Sequence, residues 1–411
     1  MGVSLVVVLS YLALMFVMGF VATKRSKTTS EMFVGNKGLS LILLVPLLFG
    51  EVIAASSTTG TAQGGFTQGI SAIWTFVGKG LGSVVFACVL VSFFDAAGKA
   101  GAMSVPEAFK WRFDGRLRVL MMFIFVIPIG LICASQVCAL AALVGPMTGI
   151  PAAPLIIGSG VVFALLALAG VKGIAKMNII NSFVILFGIV FVSLICVSHV
   201  GGFGAMFEKA PQGLSNLFYP SAGEIGGQFV SAILAYCITV SPANVCYSTG
   251  NPKTSRRALC ITGAMSIAFA FFPAFIGMCG AICVPGVDPN TVLYSMPASI
   301  SPVLSGIATM AVLAAVISTA PFFFLSFSTV FVRDIAVPLR PTMDESARMR
   351  VTVAATLAFM VLVICLALNT SSIFGQIIGA NHIKACGGFL LLVSLRAKWL
   401  TNNAAFWSLL V

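Results

Sequence analysis

Charged side chains are scarce in this sequence. Asp, Glu, Lys and Arg make up 8% of its 411 residues, whereas they make up about 25% of a typical soluble domain. Hydrophobic residues make up 59%, and they form successive apolar runs of about 20 residues, the length that crosses a bilayer as a helix. The scarcity of charge therefore excludes a soluble globular protein and predicts an all-α integral membrane protein.

No long polar block interrupts the apolar runs, so we predict one membrane domain with about eleven transmembrane helices. The runs are too long and too uniform for the short alternating strands of a membrane β-barrel. The predicted spans lie at roughly 3–23, 40–62, 69–94, 118–146, 151–171, 178–199, 223–247, 258–284, 303–332, 351–369 and 371–395.

Positive charge is in excess, with 23 Lys and Arg against 11 Asp and Glu. Nearly all of the Lys and Arg residues fall in alternate loops, beginning with the loop after the first span. Because cytoplasmic loops are rich in these residues, the pattern predicts an N-terminus outside and a C-terminus in the cytoplasm. The excess charge thus reflects membrane topology rather than nucleic-acid binding. We expect a multi-pass protein surrounded by lipid in the plasma membrane, here a bacterial inner membrane.

Histidine is nearly absent, with two residues, and the 11 cysteines are scattered without a Cys-x-x-Cys pair. This distribution argues against zinc and haem sites, which need clustered His or Cys ligands. The sequence also lacks paired acids and an HExxH motif, so we do not expect an enzyme.

A few ionisable residues lie inside the predicted spans, namely Glu51 in span 2, Lys79 in span 3, and His382 and Lys384 in the last span. Charged groups at membrane depth are costly and commonly functional. Glu51 and Lys79 either form a buried ion pair that joins two helices, or they face an aqueous cavity and contact a solute or a proton.

Span 2 combines Gly50 with a run of small hydroxylated residues that includes Ser56 and Ser57. Small residues permit close helix packing. They also suit an interrupted helix, whose free backbone groups are tolerated where they line a cavity. Interrupted helices near the membrane midplane bind solutes and ions in secondary transporters. Span 7 is similar and contains Ser241 and Pro242.

Spans 2 and 7 are five helices apart in the chain. This separation predicts two inverted five-helix repeats, which we expect at residues 38–200 and 222–396. Residues 1–25 then form one extra transmembrane helix at the N-terminus.

In span 9, Ser318 and Thr319 are adjacent and share one helical face with Ala315. The two hydroxyls can bond back to carbonyls of their own helix, with no functional consequence. Alternatively, the hydroxyls and a carbonyl can bind a small hard cation opposite the interruption in a neighbouring helix. Pro321 modestly favours the cation site, because it frees the carbonyl of Ile317.

Four segments resemble, in order, the sodium:solute symporter family, which has the leucine-transporter fold. SEMFVGNKGLSL (30–41) is similar to the family's cytoplasmic entry to its first core helix. MSVPEAFKWRFDGRLRVL (103–120) resembles its T-V-P-E-F…R-F…R-L-R loop and is the most specific of the four. The other two are GVKGIAKMNIINSFVILFG (170–188) and AAVISTAPFFFLSFSTVFVRDI (314–335), the latter similar to its eighth core helix. Residues 397–411 resemble the start of one further helix, cut short.

The resemblance implies sodium-coupled uptake of a small organic solute by alternating access. In the family, a Ser-Thr pair and a preceding small residue bind Na+ together with two carbonyls of the broken first core helix. Carried over, the Na+ ligands are the Ser318 and Thr319 hydroxyls and the carbonyls of Gly50, Ile53 and Ala315. None of these five oxygens is formally charged, so the ion can be released again.

Departures from the family pattern reduce the expected number of sodium ions to one. The family's Asp aligns with Asn178, and Pro321 and Phe322 stand where a second sodium site has serines. Glu51 is also unusual at its position, which leaves a proton-coupled transporter of the same fold as an alternative.

By position, the solute pocket draws on Glu51, Ser56, Ser57, Lys79 and Gln376. The N-terminus of a half-helix and an unpaired Lys79 both favour a carboxylate, so we expect an organic acid or an amino acid rather than a sugar. No obligate protein partner is inferred. A cation channel is the other alternative, although the sequence lacks repeated charged rings and filter loops.

Overall fold

The computed structural model describes most of the chain. It covers residues 10–11, 17, 28–35, 39–369, 373–397 and 399–410, excluding the side chains of residues 56, 143, 146, 147 and 373. The predicted first span at 3–23, and with it the extra helix expected in residues 1–25, lies largely outside these ranges. Within them, every regular element is a helix, which confirms the predicted all-α class.

The chain combines short helices with long apolar ones. In chain order the α-helices of the described ranges are α1 (Thr29–Val34), α2 (Leu41–Val52), α3 (Ala55–Thr67), α4 (Ile73–Val85), α5 (Val91–Lys99), α6 (Val105–Arg112), α7 (Gly115–Thr148), α8 (Ala152–Ala167), α9 (Gly170–Val200), α10 (Gly202–Lys209), α11 (Ala222–Tyr236), α12 (Val240–Thr249), α13 (Pro252–Phe269), α14 (Phe271–Cys283), α15 (Val292–Ile300), α16 (Pro302–Val330), α17 (Val337–Leu339), α18 (Glu345–Leu368), α19 (Ile373–Arg396) and α20 (Asn402–Leu410).

Nine helical segments of the described ranges are long and apolar enough to cross a membrane. They are Leu41–Thr67, Gly69–Lys99, Gly115–Ala142, Gly170–Val200, Ala222–Thr249, Pro252–Cys283, Pro302–Leu339, Glu345–Leu368 and Phe374–Arg396. Another apolar helix, Ala152–Ala167, is shorter. Together these segments coincide with predicted spans 2 to 11.

Helix α9 begins earlier than the span predicted at 178–199. It starts at Gly170, so Lys172 and Lys176 lie within its first two turns, where both side chains are exposed. Long lysine side chains can reach water from the end of a membrane helix. The charged residues therefore mark the end of the apolar run but not the end of the helix.

Helix α16 lies at the centre of the fold. Within Pro302–Leu339, 89% of the most apolar stretch is buried, against 33% within Gly170–Val200. The helix packs against α2, α7, α8, α9, α15 and α18. Phe359 of α18 stacks on Phe327, with ring centroids 4.2 Å apart, and meets Phe324 edge-on at 5.0 Å. Such pairs add about 0.5–1.5 kcal/mol each beyond burial, so α16 is a well-packed support for the residues it carries.

Two glycines let α3 approach α14 closely. A Cβ atom at Gly65 would lie 2.4 Å from the carbonyl oxygen of Ala274, and one at Gly277 would lie 2.0 Å from that of Ala62. No larger residue fits at either position. The short half-helix α3 is therefore held by backbone contact against α14.

The segment that resembles the family loop forms a charged network at one end of α16. Ser104 caps α6 by accepting a hydrogen bond from the Glu107 amide, at 3.1 Å. Glu107 pairs with Arg333 at 3.0 Å, and Asp334 accepts from Ser104 at 2.7 Å and pairs with Arg118 at 2.6 Å. Arg118 and Arg333 are thus bound to acids that join α6 and α7 to the end of α16.

Candidate functional site

The predicted interruption of span 2 lies between α2 and α3. Helix α2 ends at Val52 and α3 begins at Ala55, and Ile53 leaves helical geometry with φ −95° and ψ 70°. Backbone groups at such a break need partners when they are buried. The Ser57 hydroxyl donates to the Val52 carbonyl at 2.5 Å, and the Ala55 amide donates to Gln136 Oε1 at 2.8 Å.

The carbonyl of Gly50 points at the predicted hydroxyl pair of α16. Ser318 Oγ donates to it at 2.9 Å and Thr319 Oγ1 at 2.5 Å. The same two hydroxyls lie 2.7 Å and 2.9 Å from the carbonyl oxygen of Ala315. Each hydroxyl thus contacts one carbonyl of its own helix and one carbonyl at the break.

Four of the five predicted sodium ligands therefore converge within hydrogen-bonding distance. The fifth, Ile53, lies fully buried at the break itself, three residues after Gly50. Ser318 and Thr319 are also fully buried. A cluster of neutral oxygens from carbonyls and hydroxyls, without a charged side chain, can bind a hard monovalent cation and is too weak for tight divalent binding. Pro321 does not interrupt α16, which continues through it to Val330.

Asn178 of α9 supports this cluster from the side. Its Nδ2 donates to the carbonyl oxygen of Ser318 at 3.0 Å. Asn181 donates to Asn178 Oδ1 at 3.4 Å and accepts from the hydroxyl of Tyr11. A Cβ atom at Gly50 would lie 2.7 Å from Asn178 Nδ2. The residue at the position of the family's Asp thus makes a structural hydrogen bond beside the hydroxyl pair.

A second interruption separates α11 from α12 at residues 237–239, as the Ser241–Pro242 signal in span 7 predicted. Its hydroxyl groups bind charged side chains of other helices. Ser241 donates to the carboxylate of Glu51 on α2, and Thr239 accepts from the Lys384 ammonium on α19 at 2.6 Å. The two interrupted helices are therefore joined through a buried acid.

A cavity lies between the two interrupted helices. Its polar lining consists of Glu51, Lys79, Tyr236, Thr239, Asn381 and Lys384. The space that the centres of water molecules can occupy in it is about 30 Å³. The cavity therefore has room for roughly two waters. A solute of several carbon atoms therefore requires the surrounding helices to separate slightly.

The structure brings together only part of the predicted solute pocket. Glu51 and Lys79 both line the cavity. They are not among the ion pairs with N–O distances up to 4.0 Å in the described ranges, so the predicted Glu51–Lys79 ion pair is not seen there. Ser57 is turned into the break, and Gln376 lies one residue away from the cavity-lining Ile377. The side chain of Ser56 lies outside the described part of the chain.

Sequence reasoning did not assign Thr239, Asn381 and Lys384 to the pocket. A signal was present for two of them, because Asn381 and Lys384 are three residues apart and share a face of an otherwise apolar helix. Thr239 gave no comparable signal, since its role depends on where the second interruption falls.

A model of the sodium:solute symporter family matches residues 32–411. Among curated proteins, the sodium/proline symporter of Escherichia coli (strain K12) is 23% identical over 437 residues, which cover 98% of this chain and 84% of that protein. Solute carrier family 5 member 4 of Rattus norvegicus is 23% identical over 466 residues, which cover 96% of this chain and 67% of that protein.

Two solved structures share the fold. A Na+-coupled sialic acid symporter in a substrate-bound outward-open state superposes with a TM-score of 0.80 at 18% identity, covering 98% of this chain and 88% of that one. MhsT in complex with L-phenylalanine gives a TM-score of 0.63 at 14% identity, covering 92% and 93%. This likeness confirms the predicted leucine-transporter-like fold.

Proposed function

The chain belongs to the sodium:solute symporter family, and from that premise we propose that it binds one Na+ per cycle at the interruption between α2 and α3. It is a transporter rather than an enzyme, and it couples solute uptake to Na+. The observation that carries the proposed ion site is the carbonyl of Gly50, which accepts from the hydroxyls of both Ser318 and Thr319.

The proposed ligands are the carbonyl oxygens of Gly50, Ile53 and Ala315 and the hydroxyls of Ser318 and Thr319. A hydroxyl donates one hydrogen and accepts through two lone pairs, so rotation about its C–O bond converts the donor into a ligand. The present hydrogen bonds hold the oxygens close together before the ion arrives. Because none of the ligands is charged, the bound ion can leave again when the site opens.

Sodium at this position acts as a bridge between two parts of the transporter. Gly50 and Ile53 belong to the interrupted α2–α3 pair, whereas Ala315, Ser318 and Thr319 belong to the well-packed α16. Binding draws the interrupted helix toward α16, and release allows it to move away. We assign this motion to alternating access between inverted repeats at residues 38–200 and 222–396, whose first helices are the interrupted pairs.

One sodium ion per cycle follows from the residues around the site. A second oxygen cluster would need an acid at Asn178 and hydroxyls at Pro321 and Phe322. Asn178 instead donates its amide to the Ser318 carbonyl, and the two other side chains carry no oxygen.

The solute is proposed to be a small organic acid or amino acid that binds in the cavity of Glu51 and Lys79. Two of the similar proteins described above are named as symporters of proline and of sialic acid, and a third is in complex with L-phenylalanine; each of these molecules carries a carboxylate. The polar lining of the cavity supplies ammonium, amide and hydroxyl donors for such a group.

The distribution of Lys and Arg supports an N-terminus outside and a C-terminus in the cytoplasm of a bacterial inner membrane. The network of Glu107, Arg118, Arg333 and Asp334 then lies on the cytoplasmic side of α16. We propose a lipid-embedded transporter that needs no protein partner for this cycle.

The ion site is tested with a variant that carries both Ser318→Ala and Thr319→Ala. Loss of two ligands to a charged species costs about 1.5–3 kcal/mol each, so Na+ affinity should fall by about 100-fold or more. Binding of radioactive sodium to the purified protein measures the effect. Thr309→Ala is the matched control, because Thr309 carries a buried hydroxyl on the same helix, whose one hydrogen bond within the described residues is to the Ser305 carbonyl at 2.8 Å.

Replacement of sodium by choline separates the coupling ions in proteoliposome uptake. Uptake should stop in choline and should resume when Na+ is restored, with little dependence on the proton gradient. Uptake that persists in choline and follows pH would instead identify a proton-coupled transporter with Glu51 as the proton carrier.

A further inference from the structure

The cavity between the interrupted helices holds an unequal set of charged groups. The carboxylate of Glu51 lines the cavity together with two ammonium groups, those of Lys79 and Lys384. Uncompensated charge is costly at membrane depth. A ligand with one negative charge would balance the set.

Two of the three charged groups already have fixed partners. Glu51 accepts from the Ser241 hydroxyl, and Lys384 donates to Thr239 Oγ1 at 2.6 Å. The interruption between α11 and α12 therefore supplies one hydrogen-bond partner to Glu51 and one to Lys384.

Lys79 differs from this pair. In the part of the chain that the structure describes, its ammonium makes no hydrogen bond and no ion pair, and its nearest aromatic contact is the ring of Phe76, at 5.4 Å from the centroid. Among the charged groups of the cavity lining, Lys79 is thus the one that has neither a hydrogen-bond partner nor an ion-pair partner in the described residues.

Two further groups of the lining, the Tyr236 hydroxyl and the Asn381 amide, have no hydrogen-bond partner among the described residues. The Asn381 side chain is 3% exposed, and it is its donor atom Nδ2 that lacks an acceptor. A buried amide donor without a partner costs about 1–3 kcal/mol. Lys79 and Asn381 are both donors, so the group that satisfies them has to be an acceptor.

We propose that the transported solute carries a carboxylate group, which binds between the Lys79 ammonium and the Asn381 amide. The two oxygens of a carboxylate accept one hydrogen bond from each donor, and its charge compensates Lys79. This recognition rests on the proposed function, since it concerns the solute of the same transport cycle.

The same arrangement explains why sodium and the solute assist each other. Gly50, a proposed sodium ligand, and Glu51, which lines the cavity, are consecutive residues of α2. Sodium therefore adds a positive charge beside a cavity that already has one in excess. An anionic solute offsets that charge, and by linkage each of the two binds more tightly when the other is present.

Thermal unfolding of the purified full-length protein tests the proposal. The probes are acetate, L-lactate, pyruvate and nicotinate, each compared with its uncharged amide, in NaCl and in choline chloride. At least one carboxylate should raise the Tm by about 2 °C or more in NaCl. Its amide should leave the Tm unchanged, because it lacks the charge that compensates Lys79.

Four variants assign the effect to the two donors. Lys79→Gln should weaken binding of the active carboxylate by about tenfold or more, and Lys79→Arg should retain it. Asn381→Asp should abolish binding, because the new carboxylate would repel the carboxylate of the solute. Lys176→Gln is the matched control, because it removes the same charge from an exposed position on α9.

The outcomes are distinguishable from failure of the sodium site. The proposal is overturned if no carboxylate raises the Tm although sodium does, if the amides act equally well, or if Lys79→Gln keeps full affinity. A carboxylate response without any sodium response would support the recognition and contradict the sodium site. Should Lys79→Gln fail to fold, the comparison of Lys79→Arg with Asn381→Asp decides the question.

Discussion

Consecutive residues of α2 belong to two sites of different chemical character. The carbonyl of Gly50 meets the hydroxyls of Ser318 and Thr319, in a cluster of neutral oxygens. The carboxylate of Glu51 accepts a hydrogen bond from the Ser241 hydroxyl, in a cavity that is also lined by Lys79 and Lys384. One site contains no formal charge, and the other contains three.

On the proposed assignment of the two sites, this difference would let one short segment bind an ion and a solute and release both. Neutral oxygens bind Na+ without holding it permanently, whereas a charged cavity discriminates strongly between anions and neutral molecules. Two charges a few ångströms apart interact by about 4 kcal/mol at an effective dielectric constant of 20. Because the two proposed sites share consecutive residues of α2, we expect an ion at one and an anion at the other to influence each other's binding.

Gly50→Ala should have the largest effect on the neutral site. The new methyl group would lie 2.7 Å from Asn178 Nδ2 and 2.9 Å from Ser318 Cβ, so α2 has to move away from α16. We expect loss of the sodium-induced rise in Tm, together with destabilisation of about 1–3 kcal/mol from overpacking.

Gly158→Ala is the control for Gly50→Ala, because a Cβ atom at this helical position meets nothing within 4 Å. It should leave both the Tm and the sodium response intact. A Gly50→Ala protein with a normal sodium response would show that the Gly50 carbonyl is not a ligand.

Glu51→Gln should have the next largest effect, and it acts on the charged site. It leaves Lys79 and Lys384 without their only acid in the cavity lining, which should lower the free energy of unfolding by about 1–3 kcal/mol. The combination with Lys384→Gln should recover much of that loss in a double-mutant cycle measured by denaturant unfolding.

Glu208→Gln removes one acid from an exposed position of α10 and provides the baseline for that cycle. Additive losses in the double variant would show that Glu51 and Lys384 do not compensate each other. Loss of pH-dependent uptake in Glu51→Gln, with no change in stability, would instead assign proton transfer to Glu51.

Asn178→Ala should have the smallest effect of the three. It removes the hydrogen bond to the Ser318 carbonyl, worth about 0.5–1.5 kcal/mol, and so should lower Na+ affinity only a few-fold. Sodium titration of the Tm measures the change.

Ser193→Ala is the comparison on the same helix, since the buried Ser193 hydroxyl has no partner in the described ranges. Its removal should leave Na+ affinity unchanged. An Asn178→Ala protein that loses sodium binding altogether would make Asn178 part of the ion site rather than its support.

Much of the fold was predictable because the bilayer imposes a simple rule on composition. A helix that crosses lipid needs an apolar run of a given length, and the predicted spans 2 to 11 coincide with apolar helices. The boundaries were less predictable where charge lies within a helix, as with Lys172 and Lys176 at the start of α9. Arg118 and Arg333 counted as loop charges in the sequence, but the structure pairs them with Asp334 and Glu107, respectively.

Local patterns also indicated where the site elements lie. Gly50 followed by small hydroxylated residues predicted the first interruption, and Ser318–Thr319 predicted a polar face on a buried helix. They did not predict which carbonyl the hydroxyls meet, because that depends on the packing of α2 against α16. Gln376 was placed in the pocket by position alone, whereas the cavity is lined by its neighbour Ile377.

The sequence by itself determined the membrane class, the positions of the apolar helices, the first helix break and the hydroxyl pair, because each depends on residues close together in the chain. Only the tertiary structure decided that Gly50 lies against Ser318 and Thr319, and that Ser241 and Thr239 bind the acid and one of the two bases in the cavity. Those contacts join residues more than 100 positions apart, so the packing of whole helices sets them. That Lys79 has no hydrogen-bond or ion-pair partner among the described residues is also a result of tertiary packing, because it depends on which side chains surround it.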